Sequence, residues 1–213
     1  MQNAKTFWDN AAEKYAKAPI ADMKAYEYTL ERTKSYLTKK DHVLELGCGT
    51  GSTALLLAPE VAHITASDIS SNMVEVGQRK ASSDGVSNIS FITSDIDGSD
   101  LDTGPFDVVL AHNLIHLLED IPAVMKRVND LVKPGGIFIS KTVCKPGKGT
   151  SFKMRLILLI LPLMQMFGKA PFVQFMEISE LERHVTDAGF KIIETSNHPV
   201  APPSRYIVAK KIG

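Results

Sequence analysis

Three glycines at alternate positions, Gly47, Gly49 and Gly51, follow the apolar run Val43-Leu44-Glu45-Leu46 and precede a helix-forming stretch that begins at Ser52. Glycine takes backbone angles that other residues avoid, and it lets a ligand approach without meeting a Cβ. The helix start behind the turn offers free N–H groups to an anion. A tight strand-to-helix turn with no ligand would use the same residues, so the acid that follows decides more. Asp68 ends the second apolar run. In doubly wound sheets a carboxylate about 20 residues beyond the first glycine accepts hydrogen bonds from a ribose. Its alternative task is to cap the next helix, for which Ser70 is also placed. Asp95, in Thr93-Ser94-Asp95-Ile96, can accept from an adenine amino group with Ile96 against the ring face, or it can be a solvated loop acid. Together these residues point to an adenosine-containing ligand lying across the strand ends.

His112 and His116, in His112-Asn113-Leu114-Ile115-His116, are four residues apart and share one face if this stretch is helical. Histidine titrates near neutrality, so His116 is a candidate general base for an acceptor that must lose a proton. Packing or capping would account for the pair equally well. The zinc-protease pattern needs a glutamate directly after the first histidine, and Asn113 stands there. No metal site is expected.

The elements that must hold these residues follow from a change of period. Residues 6–37 carry apolar and aromatic side chains at helical spacing and read as two helices parted near Pro19. Strands are predicted over 42–46, 62–66, 89–93, 106–111 and 137–141, with helices over 52–57, 70–80 and 121–132. The last helix is stopped by Lys133-Pro134-Gly135-Gly136. Ser179 and Glu182 make a capping-box pair at the start of a final helix, for which Gly189 is the stop. Residues 190–194 and 206–210 have no helix between them and are predicted to pair antiparallel. The expectation is an α/β fold: a doubly wound, mainly parallel seven-stranded sheet of Rossmann-like type, with an antiparallel C-terminal edge hairpin and an apolar helical insertion after the fifth strand. One domain spans 1–213, divided into an N-terminal helical cap (1–40), a ligand-binding core (41–141), an acceptor-side insertion (150–176) and a final helix with edge strands (177–213).

Composition narrows the function. The 24 basic and 24 acidic side chains cancel, and no like-charge run marks a nucleic-acid arm. Two cysteines, Cys48 and Cys144, make neither a disulfide framework nor a metal cluster. The polar start has no apolar signal region, so a cytoplasmic location is expected. The most apolar stretch, 156–166, is interrupted by Pro162 and Gln165 and falls short of the roughly 20 residues a spanning helix needs. Contact with a membrane surface is left open.

Glu45-Leu46-Gly47-Cys48-Gly49-Thr50-Gly51, Asp68-Ile69-Ser70-Ser71-Asn72-Met73, Ser94-Asp95, Phe106-Asp107-Val108-Val109 and Leu131-Val132-Lys133-Pro134-Gly135-Gly136 occur in that order. In this the chain resembles the class I S-adenosylmethionine-dependent methyltransferases, nearest to the small-molecule branch of the ubiquinone- and menaquinone-biosynthesis type. The resemblance is close over 43–139 and looser at the ends. It implies S-adenosylmethionine as cofactor, S-adenosylhomocysteine as product, and a fixed set of contacts. Gly47, Gly49 and Gly51, with Glu45 before them, lie along the methionine part. Asp68 holds the ribose, Ile69 and Met73 flank the adenine, Asp95 and Ile96 bind its edge and face, and His112 reaches the methionine end. Met73 on its own reads as core. Phe7, Trp8 and Tyr15 match an aromatic pattern that closes over the cofactor in related enzymes, which makes Tyr15 a cofactor contact; the other reading is helix packing.

The partner implied is a small methyl acceptor, and no nucleic acid. The Asn/Asp-Pro-Pro-aromatic tetrapeptide of many amino-nitrogen nucleic-acid methyltransferases is absent, since the fourth strand leads into Ala111-His112-Asn113-Leu114. The Leu, Ile, Met and Phe of 152–176 predict an apolar acceptor pocket or lid, or else a dimer or core helix, in a monomer or homodimer. Two alternatives stand beside methyl transfer: a protein that binds the cofactor and transfers nothing, and an NAD-dependent oxidoreductase on a similar fold. The GxGxG spacing, where nicotinamide folds favour GxGxxG, weighs against the second.

Overall fold

The computed structural model describes residues 4–101, 104–147 and 152–213. The apolar runs become strands because helices cover both faces of the sheet they form. β1 (His42–Leu46), β2 (His63–Asp68), β3 (Ile89–Thr93), β4 (Phe106–His112) and β5 (Val132–Val143) are parallel. β6 (Phe190–Asn197) and β7 (Ser204–Lys211) form an antiparallel hairpin, and the sheet order is β3-β2-β1-β4-β5-β7-β6. The doubly wound, mainly parallel seven-stranded sheet expected from the sequence is therefore present. The hairpin folds back so that β7, antiparallel to β5, separates it from β6.

Alternation of side chains sorts the core into two layers. Leu44, Val109 and Phe138 pack with α5 (Ile121–Leu131) and α7 (Ile178–Asp187). Val43, Val108 and Ile139 pack with Leu30 of α2 (Met23–Lys34) and with Ala54 and Leu57 of α3 (Ser52–Leu57). α1 (Ala4–Lys17) lies against α4 (Ser71–Ser83), and α6 (Phe152–Met166) follows β5.

Several local expectations are corrected. β4 continues through His112, and His116 sits in a separate 3-10 turn, Ile115–Leu117, so the two histidines do not share a helical face. Pairing of His112 with Lys141 on β5 extends the strand there. The Lys133-Pro134-Gly135-Gly136 stretch does end α5, at Leu131, but it belongs to the irregular start of β5, where the pairing with β4 shifts register between Phe106 and Val108. The capping box does not form: Glu177 is the N-cap of α7, and Ser179 is already inside the helix. The chain turns early because Ile178 packs against the core. The expected helical insertion is α6, which runs through Pro162. Residues 150 and 151 of the expected insertion lie outside the described residues.

The N-terminal helices are fixed to the sheet by polar ties. Arg32 of α2 donates from both Nε (2.9 Å) and Nη2 to the carboxylate of Glu194 on β6, and the Tyr36 hydroxyl donates to the same group at 2.6 Å. Three donors on one half-buried carboxylate outweigh a simple surface pair. Glu194→Ala is expected to lower the thermal midpoint by roughly 2–4 °C. An unchanged melting curve would show that the ties add nothing.

Candidate active site

The glycine turn between β1 and α3 is left-handed at Gly47 (φ +62°), Gly49 (φ +53°) and Gly51 (φ +71°). A Cβ on Gly47 would lie 2.7 Å from Leu114 Cδ1, and one on Gly51 would lie 2.6 Å from Phe91 Cε1, so both space and backbone exclude a side chain. At Gly49 the nearest atom is Tyr15 Cε1 at 3.9 Å, which leaves room over the turn for a ligand. Asp68 ties this turn to the next. Its Oδ2 accepts from Gly49 N and its Oδ1 from Ser70 N, each at 2.9 Å. The helix cap is Ser70, whose hydroxyl oxygen accepts from Met73 N at 3.1 Å. Burial raises the Asp68 pKa, and the two backbone N–H groups act against that rise.

These strand ends border a cavity of about 510 Å³, within the range of small-molecule sites. The structure brings together in its lining Tyr15, Glu45, Gly47, Gly49, Asp68, Ile69, Met73, Asp95, Ile96 and His112. Gly51 is buried behind the turn and is not in the lining. Met73 is only 2% exposed, so it is core and wall at once. Asp95 is exposed, and its carboxylate accepts from the backbone N–H of Ile96. Asp68 ends β2 and Asp95 follows β3, whereas Glu45 and His112 stand on β1 and β4. The cavity thus crosses the point where the strand order reverses, as expected of an open α/β sheet.

Its deep end holds two polar groups without partners. Glu45 is 3% exposed and Oε2 has no hydrogen bond; His112 Nε2 is likewise buried and unpaired among the described residues. Glu45 Oε1 and His112 Nδ1 are 3.9 Å apart, beyond a hydrogen bond. Burial pushes Glu45 up to about 8, with Asp68 adding to the rise, and burial pushes His112 down to about 4, with the Lys141 charge adding to the fall. Both are therefore neutral at pH 7. Unpaired buried polar atoms in a cavity wall are the mark of a site made for a polar ligand.

His116 is placed differently. Its side chain is not in the cavity lining, its Nδ1 is buried without a partner among the described residues, and burial lowers its pKa to about 4. Its backbone carbonyl accepts from Gln174 N at 2.8 Å. His116 thus stands outside the lining, behind the wall residues Leu114 and Leu117. No described side chain of 152–176 lines the cavity either, and Leu159 (77%), Met166 (67%) and Phe167 (65%) face outward. Among the described residues no group of His, Cys, Asp or Glu could hold a metal ion, and both cysteines are unpaired.

The aromatic pair expected over the cavity is held there by Asp9, which no sequence signal marked. Trp8 and Tyr15 of α1 line the cavity, their rings edge to face at 6.2 Å. Between them Asp9 accepts from Ser70 Oγ at 2.7 Å and from Asn72 N at 3.2 Å, while Lys5 donates to it at 2.7 Å. The Lys5 ammonium, then the Ser70 hydroxyl, hold its pKa down to about 2. Arg79 of α4 pairs with Glu13. Ser67, Tyr26 and Thr53 also reach the lining without a signal in the sequence.

The sequence profile of a methyltransferase domain matches residues 43–136, the stretch that carries the glycine turn, Asp68, Asp95 and His112. The chain is an S-adenosylmethionine-dependent methyltransferase. Its reaction is methyl transfer to a small-molecule acceptor. A ubiquinone biosynthesis O-methyltransferase of Coxiella burnetii is 26% identical over 168 residues, 76% of this methyltransferase and 70% of that protein. Among solved structures, magnesium protoporphyrin IX methyltransferase from Synechocystis, with SAH bound, superposes with a TM-score of 0.72 at 18% identity, covering 98% of both chains. The [4+2]-cyclase SpnF superposes with a TM-score of 0.69 at 16% identity, over 88% of this chain and 82% of the other. At such identities the superpositions show the fold alone, and one fold here carries two reactions. Among the described residues no helix of this methyltransferase is long and apolar enough to cross a membrane.

Proposed function

We propose that this methyltransferase binds S-adenosylmethionine along the crevice from Asp95 to His112 and methylates a small acceptor with an apolar body. One observation carries the reading: the cavity has carboxylates at one end, at Asp68 and Asp95, and the unpaired Glu45 Oε2 and His112 Nε2 at the other. An adenosine joined to an amino acid presents hydroxyls and an amino group to the first end, and an ammonium with a carboxylate to the second. When bound, the cofactor supplies an electrophilic methyl carbon on a sulfonium leaving group. In this proposal Asp68 accepts from the ribose hydroxyls while holding Gly49 and Ser70 in place. Ile69, Met73 and Ile96 enclose the adenine, and Asp95 binds its edge. Tyr15 and Trp8 exclude water from above, which matters because methyl transfer depends on alignment and a dry site. No general base is assigned, an acceptor already ionised needing none.

The apolar acceptor body is supported by Ile20, Leu114, Leu117 and Leu118 of the cavity wall, and α6, outside that lining, adds the exposed apolar surface of Leu159, Leu163 and Met166. Calorimetric titration with S-adenosylmethionine, S-adenosylhomocysteine and NAD, followed by an acceptor screen of apolar phenols and quinones with detection of methylated product, tests the proposal. Binding of both sulfur nucleotides, none of NAD, and turnover that weakens in a Leu159→Asp, Leu163→Asp variant are expected. NAD binding in their place would overturn it, and tight cofactor binding with no acceptor turned over would favour a binding protein.

A further inference from the structure

Beyond His112, on the side away from the adenosine end, the sheet carries a charged side chain that the cofactor reading does not use. His112 at the end of β4 pairs in register with Lys141 on β5, and Lys141 pairs with Tyr206 on β7. Residues paired this way project from the same face of a sheet, so Lys141 stands next to His112, one strand beyond the cavity lining that His112 closes. It lies two residues from the end of β5, at the carboxyl ends of the parallel strands, where ligands of open α/β sheets bind.

Lys141 is only 9% exposed. A lysine so deeply buried is almost always paired. Here no hydrogen bond or ion pair reaches it from the described residues, and its amine is not among the atoms wholly sealed from solvent. The ionisable groups around it are accounted for. Asp22, the N-cap of α2, acts on it only as a distant charge, and its Oδ1 accepts from Ala25 N at 2.9 Å. His112 beside it is held neutral by burial. Tyr206 on the other side is engaged with Thr33 Oγ1 at 3.3 Å. Burial lowers the Lys141 pKa, so the site favours whatever restores its charge.

We propose that Lys141 is an acceptor-binding residue whose ammonium pairs with an anionic oxygen, a carboxylate or a phenolate, on the methyl acceptor. The assignment rests on the methyltransferase reading above and narrows its substrate class: an apolar body that carries one oxyacid group. Along the strand ends the order becomes Asp95 and Asp68 for the nucleoside, Glu45 and His112 for the amino-acid end, and Lys141 for the acceptor. With no carboxylate among the described residues in ion-pair contact with it, the lysine selects against neutral and cationic molecules of the same shape.

The test uses the full chain saturated with S-adenosylhomocysteine and four probes: benzoate, 4-nitrophenol at a pH where it is ionised, and their neutral counterparts benzamide and 4-nitroanisole. Lys141→Met keeps the stem and removes the charge, which relieves an unpaired buried cation and is expected to leave the fold intact by circular dichroism. Lys141→Arg keeps the charge. At least one oxyanion is expected to bind the wild type at least tenfold tighter than its neutral counterpart, to weaken ten- to a hundredfold in Lys141→Met, and to recover to within about threefold in Lys141→Arg. Which oxyanion binds tells a carboxylic acid from a phenol. Equal affinities in wild type and Lys141→Met, or no binding of either oxyanion, overturn the assignment while S-adenosylhomocysteine binding stays intact. Failure of the wild type to bind S-adenosylhomocysteine overturns the methyltransferase site itself, and this assignment with it.

Discussion

Asp68→Ala is expected to weaken S-adenosylhomocysteine binding by about a hundredfold or more. The carboxylate holds the N–H groups of Gly49 and Ser70 on separate oxygens at 2.9 Å, which fixes the glycine turn against the start of α4. Hydrogen bonds to a charged group contribute about 1.5–3 kcal/mol each, and the alanine variant loses both as well as the proposed ribose contact. Asp68→Asn separates these roles. Its amide oxygen can still accept from one N–H, but its NH₂ group faces the other, so affinity should fall between the two. The measurement is calorimetric titration of all three proteins, with melting curves to confirm folding. If Asp68→Ala binds as tightly as the wild type, the residue is only a tie between two loops and the ribose assignment falls.

The second large effect is on protons. Glu45 is neutral in the free protein until about pH 8, because burial raises it from an ordinary value of 4.5. A raised carboxyl favours the folded chain in its neutral form. Its contribution to stability is therefore whole below pH 4.5 and lost as pH rises through about 8. An ammonium arriving beside Oε2 reverses this preference and ionises the group. Cofactor binding at pH 7 should then release close to one proton, and affinity should rise up to tenfold per pH unit from about 6 to 8. Above about 8 the gain ends, since Glu45 is ionised beforehand and an α-amino group begins to lose its own proton. Calorimetry in phosphate and in Tris, whose heats of ionisation differ, counts the protons. In Glu45→Gln both the release and the pH slope should vanish. A count of zero in the wild type would remove Glu45 from contact with the ammonium.

Local signals in the sequence marked much of the cavity lining, and long-range contacts set the rest. Gly47, Gly49 and Gly51 announced a turn because their φ values suit no other residue, and Asp68 was legible because strand length fixes its distance from that turn. Asp9 was not legible, since its partners Ser70 and Asn72 are more than 60 residues away and nothing around Asp9 marks it as a cap. Lys141 looked like the polar end of a strand; only the register with His112 and Tyr206 shows it deep and unpaired. The helical reading of His112 and His116 failed for a related reason. Their four-residue spacing suits a helix, but pairing with β5 keeps His112 in a strand. Ser179 and Glu182 had the composition of a capping box and lost to the packing of Ile178. Pattern alone gives the period of an element, while its ends are set by what it packs against.

The Asp9 clamp bears on time more than on affinity. Asp9 joins α1 to the start of α4, and α1 carries Trp8 and Tyr15 over the cavity. If exchange requires α1 to part from α4, a ligand that enters breaks the same bonds as one that leaves. The clamp therefore adds to the barrier in both directions and cancels from the equilibrium, so loosening it would quicken exchange of cofactor and product at nearly constant dissociation constant. Since Asp9 stays ionised down to about pH 2, ordinary acidification leaves that barrier standing.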